Sequence, residues 1–175
     1  KEKARIAQLD LDFSEVERLL GSVAQLEVSS LEATAKERAK NALMWNKPDL
    51  AYEILVSTAD KFHVLGSTEP ARRRIQYAED ILLDHWRKFA SRSVIGIAKR
   101  MINGARDALD GTIEPRDWAK VNDLLGRIYS FEAHDEEGSK RVELAEIAVQ
   151  YFNEALLFTP KKTEPAAWAA TQSNL

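Results

Sequence analysis

The stretch EPRDWAKVNDLL, residues 114–125, is echoed by EPAAWAATQSNL, residues 164–175, with Glu-Pro, Trp-Ala and Leu at the same offsets fifty residues later. Laid over each other without a gap, residues 97–125 and 147–175 agree at nine of 29 positions. Self-similarity at a period of roughly 20 to 50 residues is what stacked supersecondary units produce, because one unit cannot bury its apolar face alone. The small residues have a packing reason: Ala98 and Ala105, echoed by Ala148 and Ala155, let paired helices approach, while Ile102 and Phe152 fill the space between.

Outward from the echo, the punctuation repeats as well. STEP (67–70), TIEP (112–115) and KTEP (162–165) each end in Glu-Pro, spaced 45 and then 50 residues apart. Proline presets φ for a first helical turn, the Glu before it places negative charge at the helix's positive end, and Gly66 and Gly111 are suited to the left-handed residue that closes a helix. Apolar stripes of helical period lie between these marks, and eight helices are expected. The first opens at Ser14 with Glu17 as a capping box and carries Val16, Leu19, Leu20, Val23 and Leu26. A second runs from Ser30 through Ala35, Ala39, Ala42 and Trp45 and closes near Asn46. Pro48 opens a third, with Leu50, Ile54, Leu55, Phe62 and Leu65. Pro70 opens a fourth, with Ile75, Ala78, Leu82 and Phe89. Residues 92–110, the segment from Pro115, the apolar helix VELAEIAVQYFNEALLF ended by Pro160, and the segment from Pro165 complete the set.

At 175 residues with 45% hydrophobic content the chain can bury one sizeable core. A net charge of −3 argues against a protein that relies on overall positive charge to hold nucleic acid. The absence of Cys excludes disulfides, thiolate metal sites and Cys nucleophiles. No apolar run spans a bilayer and KEKARIAQLD lacks the apolar core of a signal peptide, so a cytoplasmic location is expected.

The run Leu125-Gly126-x-x-Tyr129 followed by Ala148, Phe152, Ala155 and Pro160 resembles the tetratricopeptide repeat in the order of its signature residues. The second helix begins about ten residues late against that pattern, so EAHDEEGSKR is an insertion or a lengthened first helix, and the ending EPAAWAATQSNL resembles the variant found in bacterial arrays. The likeness is good over 92–175, faint over 47–91 and absent before. It implies an all-α fold, a right-handed superhelical stack of antiparallel helix pairs. Residues 1–46 are expected to form a helical cap or diverged repeats, and 47–175 the repeats proper, the last of them truncated. Trp168 and Leu175 are then expected to be partly uncovered, with the natural chain continuing.

No catalytic motif survives inspection, and neither enzyme activity, a metal site nor a cofactor is expected. His63, His85 and His134 show no metal-ligand spacing. Asp84-His85-Trp86 with Ser91 and Ser93 has the letters of a nucleophilic triad without a nucleophile elbow. Glu132, Asp135, Glu136 and Glu137 lack the alternation of a calcium loop. Trp118 and Trp168 read as packing residues from their helical phase. The resemblance implies a concave face that binds a peptide or partner protein, and Lys120, Asp123 and Arg127, with Ser173 at the position equivalent to Asp123, are the candidates for it. A second expectation is docking onto the chain's own domains or another copy, with self-association through the open last repeat. A third rests on a basic belt of Arg72, Arg73, Arg74, Arg87, Lys88, Arg92, Lys99, Arg100 and Arg106, which offers an anionic ligand a partner; the lack of interleaved aromatics disfavours nucleic acid.

Overall fold

The structure is a computed structural model describing residues 13–111 and 114–175, the side chains of 13–17, 21, 24 and 28 excepted. Among the described residues every regular element is helical and none is a strand. In chain order they are α1 (Phe13–Met44), α2 (Pro48–Asp60) with a 3-10 turn (Lys61–Leu65), α3 (Glu69–Tyr77), a π-helical turn (Ala78–Leu83), α4 (Asp84–Phe89), α5 (Arg92–Arg106), α6 (Pro115–His134), α7 (Gly138–Leu157) and α8 (Pro165–Asn174). The chain divides into two compact units, one ending at Pro70 and the other beginning at Ala71.

In the first unit α2 packs against α1. The small and aliphatic residues Ala35, Ala39, Ala42 and Leu43 of α1, with Ala51, Ile54, Leu55 and Ala59 of α2, are buried, and Phe62 of the 3-10 turn joins them. The boundary drawn from sequence after residue 46 therefore lies inside this unit. Asn46 closes the turn in the left-handed conformation at φ 54°, while the Lys47 amide donates to the Ala42 carbonyl at 2.8 Å. Two expectations are corrected. The break at Ser30 does not occur, and α1 is continuous, because neither Gly nor Pro interrupts it there. Leu26 and Trp45, read as stripe residues, are each 72% exposed. The Ser14 and Glu17 capping box falls on side chains outside the described ones.

The three helices that open with Pro at the first turn share one entry geometry. The preceding residues have φ, ψ of −116°, 67° (Lys47), −117°, 63° (Glu114) and −133°, 58° (Glu164), since the proline ring forbids the α region to the residue before it. Glu114 and Glu164 also donate equivalent amide bonds fifty residues apart, to the carbonyls of Asp110 at 2.7 Å and Pro160 at 2.9 Å. The echo is thus real at the level of backbone. The Glu side chains do not cap their own helices, however: Glu114 accepts from the Asp110 amide at 3.2 Å and Glu164 pairs with Arg116 at 2.6 Å.

In the second unit the order of contacts gives the topology. Partners of α6 and α7 run in opposite directions, with Trp118 edge-on to Phe158, Gly126 against Phe152 and Tyr129 stacked on Tyr151. They form an antiparallel hairpin. Arg92 to Asp135 and Lys99 to Glu132 give the same sense between α5 and α6. Other links rise in step along both partners: Arg72 to Asp117 (α3 to α6), Arg116 to Glu164 and Asp123 to Thr171 (α6 to α8), and Arg106 to Glu154 (α5 to α7), at separations of 45, 48, 48 and 48 residues. Those elements run parallel, one period apart. Val121, Leu124, Leu125, Ile128, Ala148, Phe152 and Ala155 are buried where α6 and α7 meet.

The helix from Pro70 departs from expectation. The π turn from Ala78 to Leu83 inserts an extra residue into the helical phase. Tyr77, Leu82 and Leu83 are fully buried, and Phe89 is rotated out to 56% exposure. Gly66 does close the preceding turn, at φ 156°, ψ 153°, a region that glycine alone adopts readily. Gly111 is there for a different reason from the one expected: its φ is not left-handed, and a Cβ would meet the Trp118 ring at 3.1 Å. The helix before it ends earlier, at Arg106.

Candidate functional site

The three residues proposed on α6 occupy one side of the helix, at spacings of three and four. The structure links them to α8 and to the π turn after α3. Lys120 Nζ lies 2.7 Å and Arg127 Nη1 3.7 Å from the carboxylate of Glu79, and Arg127 is 3.9 Å from Asp123. Asp123 Oδ1 in turn accepts hydrogen bonds from Thr171 at 2.9 Å and Asn174 at 3.4 Å. The result is a polar strip crossing from the π turn over α6 to α8. Ser173 lies on α8 but is not joined to it through its hydroxyl, which donates to the Ala169 carbonyl at 2.8 Å. Thr171 and Asn174 are the α8 side chains that bond to Asp123.

The basic belt is largely engaged by acids. Arg72 pairs with Asp117 at 2.7 Å, Arg87 and Lys88 with Asp84 at 3.8 and 2.7 Å, Arg92 with Asp135 at 3.3 Å, Lys99 with Glu132 at 2.7 Å and Arg106 with Glu154 at 3.2 Å. Arg73 donates to Gln76 at 3.0 Å and Arg74 to the Gly104 carbonyl at 3.2 Å, while Arg100 lies on the exposed side of α5. Lys99 and Arg106, seven residues apart on α5, lie over the aromatic rings of the hairpin. Lys99 Nζ is 3.8 Å from the centre of Tyr129, and the Arg106 guanidinium is 4.9 Å from Trp118 and 5.5 Å from Tyr151. Burial alone would disfavour the Lys99 ammonium, but the hydrogen bond and charge of Glu132, together with Tyr129, outweigh it and hold its pKa above the ordinary 10.5.

One helical turn beyond Arg127, at the C-terminal end of α6, lies a cavity that the sequence pattern did not reveal. Phe131 follows Arg127 by four residues on α6, and its ring stacks on Trp86 of α4 with centroids 4.0 Å apart at 25°. These rings, with Ile95 and Gly96 of α5 and Leu144 of α7, line a cavity of about 390 Å³. Its rim carries three ion pairs, Arg92 with Asp135, Lys99 with Glu132, and Lys140 with Glu136 at 3.2 Å. Ala90, left-handed at φ 49°, ψ 35°, ends α4 by donating its amide to the Trp86 carbonyl at 2.7 Å, which fixes the chain just behind that ring. The available signal was the spacing: Trp86 and Phe131 stand 45 residues apart, the interval between STEP and TIEP.

His85, beside this region, has its pKa below the ordinary value because burial disfavours the imidazolium, which the neighbouring Asp84 carboxylate only partly offsets. Asp84 is itself held low by the Lys88 hydrogen bond. Among the described residues no cluster of three or more His, Asp or Glu is placed to hold a metal ion, and no helix is long and apolar enough to cross a membrane. The first unit has a groove of its own, about 470 Å³ between α1 and α2, flanked by Leu31, Arg38, Glu53 and Lys61. Compared with models of protein families, with curated proteins and with solved structures, the chain matches none.

Proposed function

We propose that the chain is a non-catalytic interaction module, a tetratricopeptide-like stack of antiparallel helix pairs, that binds a peptide segment of a partner protein along the strip made by the π turn, α6 and α8. The observation that carries this reading is the set of one-period links between like helices. Arg72 to Asp117, Arg116 to Glu164 and Asp123 to Thr171 join the first helix of one pair to the first helix of the next. That supports a surface built from first helices side by side, which is where a repeat stack presents its groove. Lys120, Asp123 and Arg127 then contact the peptide, with Thr171 and Asn174 completing the face. The internal pairing of the belt disfavours nucleic acid there, because phosphates would have to displace carboxylates already in place.

Peptides selected from a display library on the whole chain test the proposal. Binding should weaken at least tenfold in Lys120→Glu/Arg127→Glu and stay unchanged in Arg141→Glu, on the exposed side of α7. Equal affinity in all three proteins would refute the strip as the binding face.

A second reading, association between copies, is favoured by one observation: Val142, Val149 and Leu157 on α7 are 57%, 41% and 80% exposed. Sedimentation of the whole chain, with Val142→Glu/Leu157→Glu for comparison, decides it. A concentration-dependent dimer that this variant abolishes is the expected result of that reading, and a monomer at all concentrations removes it.

A further inference from the structure

Gly96 lies within the continuous helix α5, on its exposed side, where glycine destabilises relative to alanine. The other glycines whose surroundings are described, which leaves out Gly21, have a local reason. Gly66 and Gly138 sit at positive φ, Gly111 and Gly126 lie too close to the rings of Trp118 and Phe152 for a Cβ to fit without a shift, and Gly104 faces Arg74 at 3.3 Å. A Cβ on Gly96 would meet nothing within 4 Å, and its φ is not left-handed. No close contact and no backbone conformation calls for glycine at this position. What its missing side chain leaves open is the cavity floored by Trp86 and Phe131.

We propose that this cavity is an anchor pocket for one aromatic side chain of the bound peptide. The proposal rests on the peptide-binding reading above and locates its specificity. The volume of about 390 Å³ is at the small end of ligand pockets, fit for a single ring system rather than a helix or a large cofactor. The stacked rings offer an apolar face to another ring. Each charge on the rim already has its opposite within 4 Å, so the pocket has no net charge to attract an ion, and a charged ligand group would compete with an existing pair. The rim carboxylates and amines keep free hydrogen-bonding capacity for the amides on either side of the anchor. Lys120 and Phe131 are eleven residues apart on α6, about 16 Å of helix at ~1.5 Å per residue, which about five residues of extended peptide span. The anchor therefore lies about five positions from the peptide residue that meets Lys120.

The test uses the ¹⁵N-labelled whole chain and three probes: N-acetyl-tryptophanamide, N-acetyl-lysinamide and N-acetyl-glutamate amide. The first should shift the Gly96 amide and the Trp86 indole N–H saturably, in the millimolar range, with the other two at least tenfold weaker. Gly96→Trp, which fills the pocket from a position with free space, should abolish this binding, while Gly96→Ala should retain it; if Gly96→Trp does not fold, Gly96→Leu takes its place. Display-selected peptides should lose at least tenfold affinity when their aromatic residue becomes Ala, with no further loss in Gly96→Trp. Shifts away from the cavity, equal response to all three probes, or peptide affinity untouched by Gly96→Trp would overturn the pocket while leaving the strip standing. A tight response to the free amide with no peptide ever selected would overturn the peptide occupant and the functional reading together.

Discussion

Gly126 of α6 lies directly against the Phe152 ring of α7, so that a Cβ added at Gly126 would stand 2.6 Å from two ring carbons. Phe152 is 1% exposed and cannot swing into solvent without opening the hairpin. Gly126→Ala should therefore destabilise by about 1–3 kcal/mol, the cost of overpacking, despite the helix propensity gained. In a Phe152→Leu background the same change should cost much less, since the clashing ring is gone. Urea melts of the four proteins measure both effects; additive losses would show that the two residues do not share the site.

The same substitution at Gly96 should have the opposite sign. With no neighbour within 4 Å of the new Cβ and an ordinary helical φ, Gly96→Ala should stabilise by about 0.5–1 kcal/mol. A loss of stability on thermal or urea unfolding would mean that Gly96 has a structural partner after all.

Trp118 rests on Gly111, meets Phe158 edge-on at 6.4 Å and carries the Arg106 guanidinium on its face. It is only half-buried, so Trp118→Ala should fall at the low end of the range for aromatic truncations, about 3 kcal/mol. Trp118→Phe should recover more than half of that, as read from urea midpoints, because the contacts to Gly111 and Arg106 need a ring rather than an indole.

The chain's punctuation was legible because the steric demand of proline is local: Pro48, Pro115 and Pro165 impose nearly the same entry on three helices whatever lies around them. The Gly126 and Phe152 contact was legible in outline, since the signature run placed both in one repeat. What was hidden depends on phase and on tertiary partners. The π turn rotates everything after Ala78, so Phe89 reads as core and is exposed. Two serines read as a helix start at residue 30, yet no breaker enforces one. The belt reads as a basic surface because its acids lie further along the chain, Asp117, Glu132 and Glu154 in later helices and Asp135 just past the end of α6. The cavity was missed because Trp86 and Phe131 belong to different helices and meet only when those helices stack.

Alkaline pH should loosen the second unit in a defined window. Lys99 is raised above its ordinary 10.5, burial being outweighed by Glu132 and Tyr129, and Tyr151 above its ordinary 10.0 by burial and by Tyr129. Both groups hold their protons more tightly folded than unfolded. Their stabilisation is complete below these ordinary values and is lost as pH rises through the higher folded ones. Melting temperatures should drop between pH 9.5 and 11.5 less steeply in Lys99→Met/Tyr151→Phe than in the unmodified chain, where roughly these bounds bracket the ordinary lysine and tyrosine range. Parallel curves would mean that neither group is coupled to folding.

A peptide bound across the strip and reaching along α6 from Lys120 toward Phe131 should protect the backbone beneath it. Hydrogen–deuterium exchange of the whole chain, with and without a display-selected peptide, measures this protection most directly. Slowed exchange is expected only in segments containing Glu79, Lys120 to Asp135, Gly96 and Thr171 to Asn174, with residues 30–61 unchanged. Protection centred on the groove between α1 and α2, or none in α6, would contradict it.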